Sequence, residues 1–234
     1  MMDKRTVVEA KTVFQSSIDL DAKTRAQYYN NWAEHYEKDH ALLGYRSPYL
    51  AVEFLNGNFQ GSREDALVLD VACGTGWVAK LMRDLGFRHF VGVDGSEGML
   101  AKARMTGLYQ ELKQTLLGSE PLPAQPDAYD IVMIAGAQDA GFVPVSACRE
   151  LCCAAKPGGL VCMSRGHHTD VKSQEYTRDL EQEIQRMEVE GLWRQVGIHR
   201  TNIYMKNPHV DLQKDTEKTP AIPGTVYLYQ KCQP

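Results

Sequence analysis

The sequence of 234 residues has little of the positive charge, long apolar segments or paired cysteines that would place it in a specialised class of protein. Its formal net charge is -4, whereas proteins that bind nucleic-acid phosphates normally present a basic surface. No apolar run is long enough to cross a membrane, and the first residues lack the charged and then apolar pattern of a secretion signal. We therefore expect a cytoplasmic protein, with the nucleus as an alternative, that binds no membrane and for which nucleic acid is a disfavoured partner.

The six cysteines show neither the spacing of a zinc site nor that of a disulfide framework. No two of them form a C-x-x-C pair, and no histidine stands beside them at a zinc-ligand spacing. They are typical of small apolar side chains in a reducing compartment, so we predict no metal. The chain is long enough for one well-filled domain and short for two, so we expect a single domain over 1–234. We also expect a monomer.

The clearest pattern in the chain is an apolar run followed by an acid, a glycine turn and a helix. Residues 66–69 are apolar and lead to Asp70, the turn contains Gly74 and Gly76, and apolar side chains then recur at helical spacing from Val78. A buried parallel strand gives such an apolar run. Glycines between strand and helix let the backbone approach a ligand whose polar groups face the helix N-terminus. The pattern predicts a cradle for a small molecule.

The acids around this turn separate two classes of ligand. Residues Gly74 to Ala79 fit the dinucleotide pattern G-x-G-x-x-A, which by itself is a weak signal. Asp70, at the end of the strand, would repel a pyrophosphate and attract the ammonium of an amino-acid moiety. Asp94 ends the next predicted strand, twenty residues after Gly74, where a carboxylate can hold ribose hydroxyls. Ser96 then suits the N-cap of the following helix.

Together these segments resemble the class I S-adenosylmethionine-dependent methyltransferases. The run Asp-Val-Ala-Cys-Gly-Thr-Gly at 70–76 resembles motif I, with Ala72 where many members have a third glycine. The run Asp-Gly-Ser-Glu-Gly-Met at 94–99 resembles the second cofactor loop, and Lys-Pro-Gly-Gly at 156–159 is similar to a further landmark. The resemblance implies S-adenosylmethionine as cofactor and an α/β fold, with a Rossmann-like seven-stranded mostly parallel sheet and helices on both faces. The residues that it implies in cofactor binding are Asp70, Ala72, Cys73, Gly74, Thr75, Gly76, Asp94, Gly95 and Met99.

The segment ahead of the first strand carries three aromatic residues on one helical face. Residues 22–39 have helical composition, and Tyr28, Trp32 and Tyr36 follow at intervals of four. One interpretation is that the three rings simply pack on the sheet. The segment also resembles one that many small-molecule methyltransferases carry ahead of motif I, where it covers the cofactor. On that interpretation residues 1–45 form an N-terminal helical lid, in which Tyr28 and Tyr36 touch the cofactor.

Two later strands are expected to complete the cofactor site. The third leads to Gly118 and Ser119, where relatives often carry Asp-Ala near the adenine, so backbone contacts would serve here. The fourth ends in Ala135 and Gly136, small residues that let a ligand approach. The run Gly-Ala-Gln-Asp at 136–139 differs from the Asn/Asp-Pro-Pro-Tyr/Phe of nucleic-acid amino-methyltransferases. This difference argues against the amines of bases as methyl acceptors.

The remaining elements follow from hydrophobic pattern and from glycine and proline punctuation. Residues 1–20 show no pattern, and 206–224 are expected to form a mobile connection. Helices are predicted over 48–54, 145–156 and 174–190, and later strands over 112–117, 130–136, 160–164, 198–205 and 225–230.

Candidate catalytic residues are placed by the expected topology. Methyl transfer from a sulfonium is an in-line displacement, so the protein must mainly align two reactants in a dry site, and a general base is optional. Asp139 follows the fourth strand and His167 and His168 follow the fifth, at the carboxyl ends where open α/β sheets bind ligands. Each is a candidate base, and for each histidine the alternative is an exposed loop residue.

The motifs leave the acceptor and the activity open. We expect a methyltransferase that acts on a small-molecule or protein acceptor. The alternative of another class is a catalytically silent protein that binds S-adenosylmethionine and acts as a partner or sensor. An NAD-dependent oxidoreductase is a third interpretation.

Overall fold

A computed structural model describes residues 5–17, 20–208 and 221–233. Its centre is a seven-stranded sheet in the order β3-β2-β1-β4-β5-β7-β6. The first five strands run parallel, and β7 runs antiparallel between β5 and β6. The predicted mostly parallel sheet is therefore confirmed. The strands are β1 (Leu67–Val71), β2 (His89–Asp94), β3 (Tyr109–Gln114), β4 (Tyr129–Ala135), β5 (Ala155–Gly166), β6 (Trp193–Lys206) and β7 (Ala221–Lys231).

Helices cover both faces of the sheet because the central strands are apolar on both sides. Residues Ile131 to Ile134 of β4, for example, are all fully buried. Helices α4 and α5 share one apolar core with one face of the sheet, and α7 and α8 share a second core with the other face. The helices are α1 (Val7–Ser16), α2 (Ala22–Trp32), α3 (Tyr36–Leu42), α4 (Ser47–Asn58), α5 (Trp77–Asp84), α6 (Glu97–Met105), α7 (Ala147–Ala154) and α8 (Val171–Val189).

The N-terminal segment is more ordered than its sequence pattern predicts. Residues 7–16 form helix α1, which begins with a capping box: the Glu9 amide donates to the Thr6 hydroxyl at 3.3 Å, and the Thr6 amide donates to the Glu9 carboxylate at 2.7 Å. The spacing Thr-x-x-Glu is a recognised helix-start signal that the prediction of an unpatterned segment overlooked. Interpreting 1–20 as unpatterned was therefore wrong over α1.

The predicted single helix over 22–39 is two helices. Helix α2 ends at Trp32 and α3 begins at Tyr36, with a turn between them. This turn places the Trp32 indole N–H 2.8 Å from the Asp39 carboxylate, which also accepts two hydrogen bonds from Arg5. Because Asp39 is buried, these donors satisfy a carboxylate that would otherwise be costly to desolvate.

Other boundaries differ by a few residues. Strand β3 starts at Tyr109, ahead of the predicted 112–117. It is an edge strand with no fully buried residue, and hydrophobic patterns detect such strands poorly. Of the predicted connection 206–224, residues 209–220 lie outside the described residues, and 221–224 already belong to β7.

The described part of the chain contains no helix long and apolar enough to cross a membrane. Within the same residues, no three histidine, cysteine, aspartate or glutamate side chains are grouped as a metal ion would require. All six cysteines are free, and Cys153 is exposed rather than buried.

Candidate cofactor and methyl-transfer site

The loop between β1 and α5 has an unusual backbone. Ala72, Gly74 and Gly76 adopt positive φ angles of 54°, 54° and 83°. For an alanine this left-handed conformation costs about 1 to 2 kcal/mol, which explains why a glycine is the more common residue there in the family that the sequence resembles. The Cys73 amide donates to the carbonyl of Val93 at 3.0 Å, and the Gly76 amide donates to that of Cys73 at 2.9 Å. The loop is thereby fixed against β2.

Asp94 links the loop after β1 to the loop after β2. One carboxylate oxygen accepts from the Gly74 amide at 2.8 Å, and the other accepts from the Ser96 amide at 2.9 Å. Burial raises the pKa of Asp94 above its usual value, and the amides of Ser96, Gly74 and Gly95 oppose that rise. An ionised carboxylate offers about four acceptor positions, so two bonds to backbone amides leave room for two further donors.

A cavity of about 140 Å³ lies over the carboxyl ends of the parallel strands. Its wall combines the loops that follow β1 to β4 with the inner side of α2 and α3. The lining residues are Ala22, Arg25, Ala26, Tyr29, Tyr36, Ala72, Gly74, Asp94, Gly95, Ser96, Met99, Thr115, Leu116, Leu117, Ala135, Gly136, Ala137, Phe142 and Val143.

Eight of the residues predicted from sequence line this cavity, and the others lie beside or behind it. Those in its wall are Ala72, Gly74, Asp94, Gly95, Met99, Ala135, Gly136 and Tyr36. Those outside the wall are Asp70, Cys73, Thr75, Gly76, Gly118, Ser119 and Tyr28. The backbone after β3 enters the cavity at Thr115 to Leu117, just before Gly118 and Ser119.

Tyr29, rather than Tyr28, faces the cavity from α2. The Tyr28 hydroxyl donates to the Val13 carbonyl of α1 at 2.7 Å. Tyr29 and Tyr36 both line the cavity, with ring centroids 6.0 Å apart. The intervals of four that selected Tyr28 assume one continuous helix, and the turn between α2 and α3 breaks that relation.

Asp70 lies behind the glycine loop. It is only 1% exposed, and its carboxylate accepts from the Tyr109 hydroxyl at 2.7 Å. Burial raises the pKa of Asp70 to about 7, the Tyr109 hydrogen bond opposes the rise, and the neighbouring Asp94 adds to it. Asp70 is therefore held behind the loop and takes no part in the cavity wall.

Polar contacts fasten α2 and α3 to the cofactor loops. The Asn30 side-chain carbonyl accepts from the Ser96 hydroxyl at 2.7 Å and from the Gly98 amide at 2.9 Å. On α3, the Glu37 carboxylate accepts from the Thr75 hydroxyl at 2.5 Å and from the Lys80 ammonium at 2.6 Å. The N-terminal helices thus form one wall of the cavity through specific hydrogen bonds.

Arg25 closes the cavity on the side of the loop that follows β4. Its guanidinium donates to the backbone carbonyls of Ser17, Leu20 and Gly141 and lies 4.1 Å from the ring centroid of Phe142. Sequence reasoning missed Arg25 and Phe142, because no local pattern connects residues so far apart in the chain.

The three candidate bases lie together near this loop but outside the cavity wall. A carboxylate oxygen of Asp139 is 3.7 Å from His168 Nε2, and the other oxygen is 3.4 Å from a guanidinium nitrogen of Arg165. His167 Nε2 is 2.7 Å from the Thr225 hydroxyl. Burial and the nearby Arg165 lower the pKa of His167. Asp139 and His168 therefore form an acid and imidazole pair that sequence alone did not connect.

The strand order, the reversed β7 and a cavity over the carboxyl ends define a class I methyltransferase fold. Residues 68–159 match a family model described as a methyltransferase domain. Human Methyltransferase-like protein 27 is 44% identical over 173 residues, which are 74% of this chain and 69% of that protein. The chain belongs to this family of methyltransferase-like proteins.

A shorter match and several solved structures agree with this assignment. The tRNA U34 carboxymethyltransferase of Cellvibrio japonicus is 31% identical over 102 residues, or 42% of this chain and 32% of that protein. A chain of the Haloferax volcanii complex between the Trm112 methyltransferase activator and a methyltransferase has a TM-score of 0.60 at 16% identity, covering 88% of this chain and 98% of that one. An S-adenosylmethionine-dependent methyltransferase from Mesorhizobium loti has a TM-score of 0.52 at 16% identity, covering 79% and 100%. The [4+2]-cyclase SpnF also shares the fold, with a TM-score of 0.56 at 14% identity, covering 80% and 81%.

Proposed function

We propose that this protein binds S-adenosylmethionine in the cavity and transfers its methyl group to a small-molecule or protein acceptor. The observation that carries the proposal is Asp94, a carboxylate fixed by two backbone amides in the wall of a cavity above a glycine loop. Its remaining acceptor positions suit the two hydroxyls of a ribose.

The hydrogen bonds of the glycine loop favour the binding of a nucleoside that carries an amino acid over the binding of a dinucleotide. A pyrophosphate in a glycine loop is held by backbone amides that are free to donate. Here the amides of Cys73, Gly74 and Gly76 already donate to protein oxygens. Asp70 behind the loop would also repel a pyrophosphate, and the same charge favours an ammonium.

The residues of the cavity wall support an assignment of further parts of the cofactor. The backbone of Ala72 and Gly74 would hold the methionine moiety, and Met99 with Leu116 would flank the adenine. Tyr29 and Tyr36 would cover the ligand and exclude water. When bound, the cofactor supplies an electrophilic methyl group on a sulfonium. For an acceptor that must lose a proton, the pair of Asp139 and His168 offers a proton acceptor beside the cavity.

Replacement of Asp94 tests the proposal directly. A hydrogen bond to a charged group contributes roughly 1.5 to 3 kcal/mol, so Asp94→Ala should weaken S-adenosylhomocysteine binding about 10-fold to about 100-fold in calorimetric titrations. A deoxyribose analogue should bind the variant and the wild type nearly alike. Asp84→Ala is the matched control, because Asp84 is an exposed acid of α5. Unchanged affinity in Asp94→Ala would refute the proposed role.

A catalytically silent binding protein is the second candidate function. The observation that favours it is that none of Asp139, His167 and His168 lines the cavity. The two functions are separated by incubating the protein with methyl-labelled S-adenosylmethionine and fractionated cell extract. Transfer of label to an acceptor supports the enzyme, and binding without transfer across all fractions supports the silent protein.

A further inference from the structure

Tyr109 occupies a space that two glycines leave open beneath the cofactor loop. A Cβ atom added to Gly76 would lie 3.0 Å from the Tyr109 ring, and one added to Gly92 would lie 2.8 Å from it. Gly76 is the N-cap residue of α5, and Gly92 pairs with Asp70 in the sheet. The ring therefore fits between the loop and β2 only because both positions lack a side chain.

The Tyr109 hydroxyl contacts the Asp70 carboxylate behind the loop. It donates to Asp70 at 2.7 Å across 39 residues of sequence. The titratable groups that act on this pair are the Cys73 thiol and the Asp94 carboxylate. Burial and the Asp94 carboxylate disfavour a negative charge on Asp70, while the hydrogen bond donated by Tyr109 favours it. The Tyr109 hydroxyl thus supports the charged form of Asp70.

We propose that Tyr109 is a positioning residue of the cofactor site, whose hydroxyl keeps Asp70 charged and oriented beneath the glycine loop so that it attracts an ammonium bound above. This inference rests on the proposed binding of S-adenosylmethionine. Asp70 is buried, and a buried charge acts more strongly on its surroundings than it would in water. Tyr109 thereby affects the ligand without lining the cavity.

The Tyr109→Phe substitution separates this role from simple packing. Phenylalanine retains the ring between Gly76 and Gly92 and removes only the donor to Asp70. Tyr49→Phe is the matched control, since Tyr49 is a half-exposed tyrosine of α4. Asp70→Asn removes the charge itself and identifies the part of any pH dependence that belongs to Asp70 rather than to Asp94.

The experiment is a series of calorimetric titrations with S-adenosylhomocysteine across neutral pH. In the wild type the affinity should fall as the pH drops through about 7, and Asp70→Asn should lack this step. In Tyr109→Phe the step should move upward by about one pH unit, which lowers the affinity about threefold midway between the two midpoints and about tenfold at a pH well below both. Tyr49→Phe should match the wild type.

A second readout needs no ligand. Carbon-13 NMR of the Asp70 carboxyl should show its titration midpoint moving to higher pH in Tyr109→Phe. A uniform loss of affinity at every pH with an unmoved Asp70 midpoint would overturn the inference and leave Tyr109 as packing. Absence of S-adenosylhomocysteine binding by the wild type at any pH would instead overturn the proposed function, and this inference with it.

Discussion

The attachment of α2 to the cofactor loops can be tested at Asn30. Its side-chain carbonyl accepts two hydrogen bonds, from the Ser96 hydroxyl and the Gly98 amide, and Asn30→Ala removes both. A hydrogen bond contributes about 0.5 to 1.5 kcal/mol net, so the loss is about 1 to 3 kcal/mol in the free energy of opening α2. This corresponds to about a fivefold to about a 150-fold increase in the opening constant.

Amide hydrogen exchange measures this opening. Exchange over α2 should accelerate in Asn30→Ala and stay unchanged over α8, which has no part in the cavity wall. Asn31→Ala is the matched control, because Asn31 is an exposed neighbour on the same helix and the change in helix propensity is the same.

Bound ligand should have the opposite effect on the N-terminal helices and slow their amide exchange. Because Tyr29 and Tyr36 line the cavity, S-adenosylhomocysteine should slow exchange over 22–39 in the wild type more than over α8. Equal exchange in Asn30→Ala and Asn31→Ala would refute the proposed fastening. Equal exchange over 22–39 with and without ligand would show that the N-terminal helices are packing elements only.

Two further predictions concern stability. Gly136→Ala should lower the free energy of unfolding in urea by about 1 to 3 kcal/mol more than Gly74→Ala. Both glycines have positive φ, but an added Cβ lies 1.7 Å from the Tyr45 hydroxyl at Gly136 and meets nothing within 4 Å at Gly74; equal losses would contradict this. Burial raises the pKa of Asp70 from 3.8 to about 7, so its ionisation destabilises the fold as pH rises between these values. Asp70→Asn should therefore increase stability by on the order of a few kcal/mol at about pH 8 and have no effect at about pH 3; a constant difference would point to packing instead.

The parts of the site that sequence predicted are those encoded locally. The apolar run, the glycine loop and the helix that follows occupy one continuous segment, and Asp94 ends the next strand. A buried parallel strand and a glycine turn each leave a signal within a few residues, so the sheet and the loops could be derived. Thr6 and Glu9 form a local signal of the same kind, the capping box of α1. Because this signal was overlooked, α1 was not predicted.

The parts that sequence missed depend on contacts between distant residues. Tyr109 meets Asp70 across 39 residues, and Arg25 meets Gly141 across 116. Trp32 and Arg5 both donate hydrogen bonds to Asp39. The turn beside this contact brings Tyr29, rather than Tyr28, to the cavity. The helical spacing of the aromatic residues does not indicate the turn that separates α2 from α3.

The most direct test of the central claim is a calorimetric comparison of two ligands on the wild-type protein. Titration with S-adenosylhomocysteine should give saturable one-site binding, while NAD should give no binding heat, because three amides of the loop are already bonded and Asp70 opposes a pyrophosphate. Saturable binding of NAD with none of S-adenosylhomocysteine would contradict the account and favour an oxidoreductase.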